Sequence, residues 1–285
     1  MHKKIEEIKK LEKPPKVLKK LFSEQEINEF LELYKNLPTT VHNKKQNVIK
    51  KRWLQGYNNK LEKIFCERLK NEIGDFKMDN LKDENGKDIY GLIQESYNPI
   101  GLHVDAGFNL ENLIYRQTLI PLTPVGSTVI FKNRFYGVST NFTLDSKELN
   151  IKKLNYGQNK RSNEHIGMFG KKPFNQDDHK KFLNHEKIEN LLGLEIDLVY
   201  EWELGSMLIF DRTNLHCSSP KIDGKKGSKK EGVPGPNFID FGSILGSFWG
   251  QKGSKSSSRK GSIFEAKNGR EKVGQKSEKK CSREL

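Results

Sequence analysis

Ile89-Tyr90-Gly91-Leu92-Ile93-Gln94-Glu95-Ser96-Tyr97 leads through Asn98-Pro99 into Gly101-Leu102-His103-Val104-Asp105-Ala106-Gly107. The first nine residues have the length and the apolar, aromatic content of a strand, and Asn-Pro with the glycine after it ends that strand. Short apolar segments follow at 113–122, 127–132, 194–203 and 206–210, with Pro124 to Ser127 and Leu204 to Ser206 where tight connections are wanted. No alternation of strand and long helix runs through this region, which argues against a parallel α/β sheet. The pattern predicts a mainly β (α+β) protein whose core is an antiparallel double-stranded β-helix, or jelly roll.

Upstream, the period changes from two to 3.6. Ser23 is placed as a helix N-cap with Glu26 three residues on, and Ile27, Phe30, Leu31 and Tyr34 recur at helical spacing. A second helix is predicted over 58–73, where Leu61, Ile64, Phe65, Leu69 and Ile73 share a face. These helices are expected to buttress the sheet. The organisation read from the chain is a helical support region at 1–84, a jelly-roll core at 85–240 with a polar insertion at about 139–193, and a basic low-complexity tail at 241–285 with no fixed structure. An insertion of that length is either a lid or substrate-recognition element, or a surface elaboration.

The net charge of +14 is unevenly placed. From Lys221 onward 16 Lys and Arg face 7 Asp and Glu, a net of +9, so most of the excess lies after residue 220. Such a tail can contact nucleic acid or an anionic surface, or remain a solvated end. Three cysteines far apart, Cys66, Cys217 and Cys281, argue against a disulfide framework and for a reducing compartment. The charged start, Met1-His2-Lys3-Lys4, lacks a signal-peptide core and no segment approaches a membrane span, so a cytoplasmic location with no transmembrane segment is expected.

Chemistry concentrates at His103 and Asp105. Residues i and i+2 of an extended segment point to one face, so an imidazole nitrogen and a carboxylate oxygen are presented together. With 7 His and 12 Asp in 285 residues, about 0.3 accidental His-x-Asp pairs are expected, so the pair alone is weak. Its context strengthens it: a strand ends before it, Gly107 follows, and His216 lies just beyond the apolar run Met207-Leu208-Ile209-Phe210. Two imidazoles and one carboxylate on one face of a metal leave positions open for further ligands.

Between residues 85 and 230 this arrangement resembles the Fe(II)/2-oxoglutarate-dependent dioxygenase superfamily, and Trp202-Glu203-Leu204-Gly205-Ser206-Met207-Leu208-Ile209-Phe210-Asp211 leading to Leu215-His216 resembles its last metal-bearing strand pair. The resemblance implies Fe(II) held by His103, Asp105 and His216, 2-oxoglutarate as co-substrate, and hydroxylation of an unidentified substrate with release of succinate and CO2. It also implies a cation about ten residues after the second His. Lys226, followed by Ser228, matches that placement, with Lys221, Lys225, Lys229 and Lys230 as neighbours able to compete. Tyr97 and Thr118, or Gln117 beside it, occupy positions suited to 2-oxoglutarate; ordinary cross-strand packing accounts for them equally well.

Other candidates weigh less. His165, His179 and His185 fall in the polar insertion and are expected to be solvated. Cys217 adjoins His216, but neighbours on a strand face opposite ways. Arg116 and Arg134 serve an acidic substrate or make ion pairs. Two alternatives stand beside the oxygenase: a non-catalytic jelly-roll binding module with a vestigial or structural metal site, and a cupin-like enzyme using Zn or Mn without 2-oxoglutarate.

Overall fold

Gly205 shows how tightly the strands are joined. It takes φ +76° in the turn before Met207, and a Cβ there would stand 2.2 Å from the carbonyl oxygen of Phe22, so only glycine fits. In turn, Phe22 N–H donates to the Gly205 carbonyl at 2.8 Å, tying the helical region to the barrel. The computed structural model describes residues 2–43, 48–78, 82–83, 85–96, 99–105, 116–137, 140–142, 160–161, 166–219 and 237–246, which fall in one compact unit, Met1–Phe248.

The strands in chain order are β1 Lys16–Leu18, β2 Thr39–Asn43, β3 Val48–Leu54, β4 Phe76–Met78, β5 Ile89–Ser96, β6 His103–Val104, β7 Arg116–Pro121, β8 Ser127–Arg134, β9 Thr140–Asn141, β10 Lys160–Arg161, β11 Ile196–Glu201, β12 Met207–Asp211, β13 Asn214–Ser219 and β14 Asn237–Gly246. The helices are α1 His2–Lys9, α2 Glu24–Asn36, α3 Asn59–Ile73 and α4 Gln176–Phe182, with a 3₁₀ turn at Ile188–Leu191.

One sheet has the order β1-β12-β7-β14-β5-β3-β2, with β4 also on β14; the other has β10-β9-β6-β13-β8-β11. The antiparallel pairs β8·β11, β7·β12, β6·β13 and β5·β14 nest like the rungs of one long hairpin. Rolling that hairpin brings β13 beside β8 and β14 beside β7, and this is the double-stranded β-helix that the strand pattern predicts.

Three apolar clusters locate the layers. Leu119, Ile130, Tyr200, Trp202, Leu208 and Phe210 come from both sheets and fill the space between them. On the outer face of the large sheet, Ile120, Leu122, Met207 and Ile209 pack with Phe30, Leu61, Phe65 and Trp53. On the outer face of the small sheet, Val129, Phe131, Leu215 and Cys217 pack with Phe174, Leu183 and Leu191 from the insertion. Burying one such Leu or Phe stabilises the fold by about 1.5–3 kcal/mol.

Helix α2 begins as the sequence predicts: Glu26 N–H donates to Ser23 Oγ and Ser23 N–H to Glu26 Oε2, a complete capping box. Helix α3, Asn59–Ile73, matches the predicted second helix and is capped by Asn58. Three features depart from the sequence reading. The region 1–84 also supplies β1, β2, β3 and β4 to the large sheet. The closing strand β14 runs to Gly246, past the boundary placed at 240. The described end of the insertion packs on the back of the small sheet, and His179 and His185 are docked there rather than solvated: His179 Nε2–H donates to the Glu186 carbonyl at 2.9 Å, and both His185 ring nitrogens are buried. His165 lies outside the described residues. No helix of the described residues is long and apolar enough to cross a membrane.

Candidate metal centre

Register builds the site. His103 on β6 stands directly opposite His216 on β13, and His216 is also opposite Ile130 of β8, whose side chain lies between the sheets. Cross-strand partners point to one face, so both imidazoles enter the space between the sheets. Their chain neighbours Leu102, Val104, Leu215 and Cys217 belong to the outer cluster, as a period of two requires. Cys217 is therefore no partner of His216, and its burial pushes the thiol pKa well up. Asp105, two residues beyond His103, points its carboxylate inward.

The donor atoms converge. His216 Nε2 lies 3.2 Å and His103 Nε2 3.7 Å from Asp105 Oδ2, the imidazole centroids are 4.1 Å apart, and the three ligand atoms lie within 4.8 Å of one another. Donors bound at about 2.1 Å and at right angles around one ion stand about 3 Å apart, so these separations suit three adjacent corners of an octahedron. The far side of each ring is held as a metal ligand's should be. His103 Nδ1–H donates to the Gly101 carbonyl at 2.7 Å and His216 Nδ1–H to the Asn214 carbonyl at 3.0 Å. A carbonyl accepts only, so Nδ1 carries a proton in both rings and Nε2 is the nitrogen left to bind a metal. Gln117 Nε2–H donates to Asp105 Oδ2 at 2.9 Å, and Phe210 sets its ring edge-on to His216 at 4.8 Å between centroids.

Charge is balanced against burial. Burial disfavours the Asp105 carboxylate, but the His103 imidazolium outweighs it and holds the carboxyl well below its ordinary range. Burial and the His103 charge push the His216 pKa down. For His103 burial is overcome by the Asp105 carboxylate, and its pKa rises. An anionic carboxylate facing two imidazole Nε2 atoms, whose protons a divalent cation would displace, is a donor set for such an ion, and among the described residues it is the group of His, Cys, Asp and Glu with metal-ligating geometry.

The remaining sequence candidates fare unevenly. Tyr97, Lys226 and Ser228 lie outside the described residues, as do Lys221, Lys225, Lys229 and Lys230. Thr118 is corrected: it pairs with Ile209, whose side chain belongs to the helix-facing cluster, so Thr118 is buried on the side of the large sheet away from the metal ligands, its hydroxyl unbonded. Gln117, opposite Phe210, holds the inward position instead. Arg116 and Arg134 make ion pairs: Arg116 Nε bonds Asp211 Oδ1 at 2.9 Å, Arg134 Nη1 bonds Asp211 Oδ2 at 2.8 Å, and Arg134 also pairs with Glu12.

Glu186 escaped the sequence reading. Leu102 N–H donates to its Oε1 at 2.8 Å, so a buried carboxylate from the insertion grips the backbone next to His103. Burial raises its pKa. No local pattern signals it, because 84 residues separate the two groups.

No protein-family model and no curated protein matches the chain. Solved structures similar in fold include a 2OG-Fe(II) oxygenase family oxidoreductase from Burkholderia pseudomallei, at 9% identity over 86% of this chain and 89% of that one with a TM-score of 0.40. HygX from Streptomyces hygroscopicus, with nickel and 2-oxoglutarate bound, shows 11% identity over 87% and 88% with a TM-score of 0.44. EctD from S. alaskensis in its apo form shows 12% identity over 82% and 72% with a TM-score of 0.39.

Proposed function

We propose that this chain is an Fe(II)- and 2-oxoglutarate-dependent oxygenase that hydroxylates a still unidentified substrate, with release of succinate and CO2. The observation that carries the reading is the convergence of His103 Nε2, His216 Nε2 and Asp105 Oδ2 on one point, with both Nδ1 protons donated to backbone carbonyls. Two neutral imidazoles and a carboxylate suit Fe(II), and three donors leave coordination positions open to a chelating co-substrate and dioxygen. Iron held there would supply the oxygen chemistry that no side chain can perform, with 2-oxoglutarate as the electron donor.

The chain's own residues do the rest. The strand register fixes both imidazoles, Gln117 orients the Asp105 carboxylate through its amide, and Phe210 backs His216. Leu119, Ile130, Leu208 and Phe210 keep the space behind the ligands dry, which strengthens every electrostatic contact in it. Tyr97, Lys226 and Ser228 remain proposed contacts of 2-oxoglutarate; Thr118 does not.

One observation favours a second reading, a non-catalytic module. The closing strand, Asn237-Phe238-Ile239-Asp240-Phe241-Gly242-Ser243-Ile244-Leu245-Gly246, contains neither Lys nor Arg, so the cation expected after His216 is not on it. Metal stoichiometry separates the readings when combined with turnover. The protein should bind one Fe(II) per chain, and His103→Ala should abolish both binding and succinate release. Turnover retained in that variant would dismiss the site.

A further inference from the structure

Glu186 lies in the insertion between α4 and the 3₁₀ turn, and its position there is fixed from several sides. Its N–H donates to the Leu183 carbonyl at 2.9 Å, and its carbonyl accepts from His179 Nε2–H at 2.9 Å. Leu183 and Leu191, on either side of it in the chain, are buried in the cluster behind the small sheet. The Asn190 side chain bonds the carboxylate, and His185 Nε2 stands 3.8 Å from Oε1. A buried carboxylate needs partners that offset its desolvation.

The partner that reaches the metal ligands is a peptide group. Leu102 N–H, which donates to Glu186 Oε1 at 2.8 Å, and the Gly101 carbonyl, which accepts from His103 Nδ1–H at 2.7 Å, are the two ends of one peptide unit. That unit is planar, and resonance couples its N–H to its C=O, so fixing one end fixes the direction of the other. A carboxylate accepting the N–H also pushes electron density toward the oxygen and makes it a stronger acceptor, because hydrogen bonds in series polarise one another. The flanking peptides are tied down separately: Ser218 N–H donates to the Ile100 carbonyl at 3.0 Å and Phe142 N–H to the Leu102 carbonyl at 2.8 Å. Those two bonds hold the segment in place, but neither touches the 101–102 peptide.

We propose that Glu186 is a positioning residue for the metal centre, acting on His103 through the 101–102 peptide in a Glu–peptide–His relay. A carboxylate behind a metal-bound imidazole fixes the ring's tautomer and raises its basicity; here the peptide carries both effects across one extra link. The insertion thereby becomes part of the metal site. The coupling is reciprocal: whatever loosens Glu186 weakens metal binding, and metal bound at His103 steadies the insertion. The inference rests on the metal centre of the oxygenase reading, not on 2-oxoglutarate or oxygen.

The test loads the full chain with Co(II) and reads affinity together with the proton spectrum, in which the Nδ1–H of each Co(II)-bound imidazole gives a shifted, solvent-exchangeable resonance. Glu186→Ala should weaken Co(II) binding by about 10- to 100-fold. Glu186→Gln, whose amide oxygen still accepts from Leu102 N–H, should recover most of that loss. In the Gln variant the exchangeable resonance of His103 should move and that of His216 should stay. Phe65→Leu, in the helix-facing core, should lower the melting temperature and leave Co(II) affinity unchanged. Glu186→Ala binding Co(II) within twofold of wild type would overturn the proposal, as would an equal loss in Phe65→Leu. Should Glu186→Ala fail to fold, Glu186→Gln decides: two unmoved resonances contradict the relay, and movement of the His103 resonance alone supports it. Wild-type protein that binds no Co(II) would remove the metal centre and this role together, whereas a normal Co(II) site indifferent to Glu186 removes the role alone.

Discussion

His103 and His216 face one another across the β6–β13 ladder as direct register partners, their ring centroids 4.1 Å apart. A slip of one residue in either strand would carry its imidazole to the outer face, among Leu102, Leu215 and Cys217. The same hairpin register that makes the fold therefore makes the donor set.

The first prediction concerns the two adjacent positions on β7. Gln117→Leu removes the amide that holds Asp105, and loss of such an outer partner should weaken metal binding by about 10- to 100-fold. Thr118→Val, on the opposite face with an unbonded buried hydroxyl, should leave metal affinity unchanged and stability unchanged or raised. Metal titrations and thermal melts of the two variants check both statements.

Asp211 anchors Arg116 and Arg134, and its Oδ2 also accepts from Lys13 N–H at 2.8 Å, so residues 12–14 are tied to the ends of β7, β8 and β12. These side chains are largely buried. Asp211→Ala leaves the Arg116 guanidinium without its carboxylate and Arg134 with Glu12 alone, and should cost about 3–5 kcal/mol in urea unfolding. Replacing Arg116 and Arg134 by Met in that background should recover part of the loss.

His185 gives a pH prediction. Its ring nitrogens lie near the Ile100 backbone and 3.8 Å from Glu186 Oε1 without reaching hydrogen-bond geometry, and burial pushes its pKa down to about 4. The unfolded chain, with an ordinary pKa of 6.5, takes up the proton first. Stability from this residue is full above pH 6.5 and is lost as pH falls toward 4, by about 3 kcal/mol in all. Unfolding free energies of wild type and His185→Phe, compared across that window, should diverge with this sign.

The Ser23–Glu26 capping box is the feature whose sequence signal was strongest, and Ser23→Ala should cost about 1 kcal/mol. Local signals of this kind were legible throughout: the cap, the 58–73 helix, the strands β5, β7, β8, β11 and β12, and the His-x-Asp spacing. What escaped depends on partners far along the chain. Lys50, Lys51 and Arg52 hide β3 behind a run of charge, although Lys51 bonds the Tyr34 carbonyl and Trp53 packs against Phe30 on the same side. The inward choice between Gln117 and Thr118 is a matter of parity that only pairing with Ile209 and Phe210 decides. His185 reads as solvated among Lys and Asn because the amphipathic segment 182–192 does not by itself say that Leu183 and Leu191 bury it against the small sheet. The closing strand straddles the boundary placed at 240, because the run rich in Gly, Lys and Pro before it carries no strand signal.

The most direct measurement is conversion of 2-oxoglutarate to succinate by anaerobically reconstituted protein, started with oxygen and repeated without Fe(II). Succinate that forms only with iron, and that disappears in His216→Ala, is the predicted result. Stoichiometric iron with no succinate, or succinate that persists without iron, would contradict an oxygenase centred on His103, Asp105 and His216.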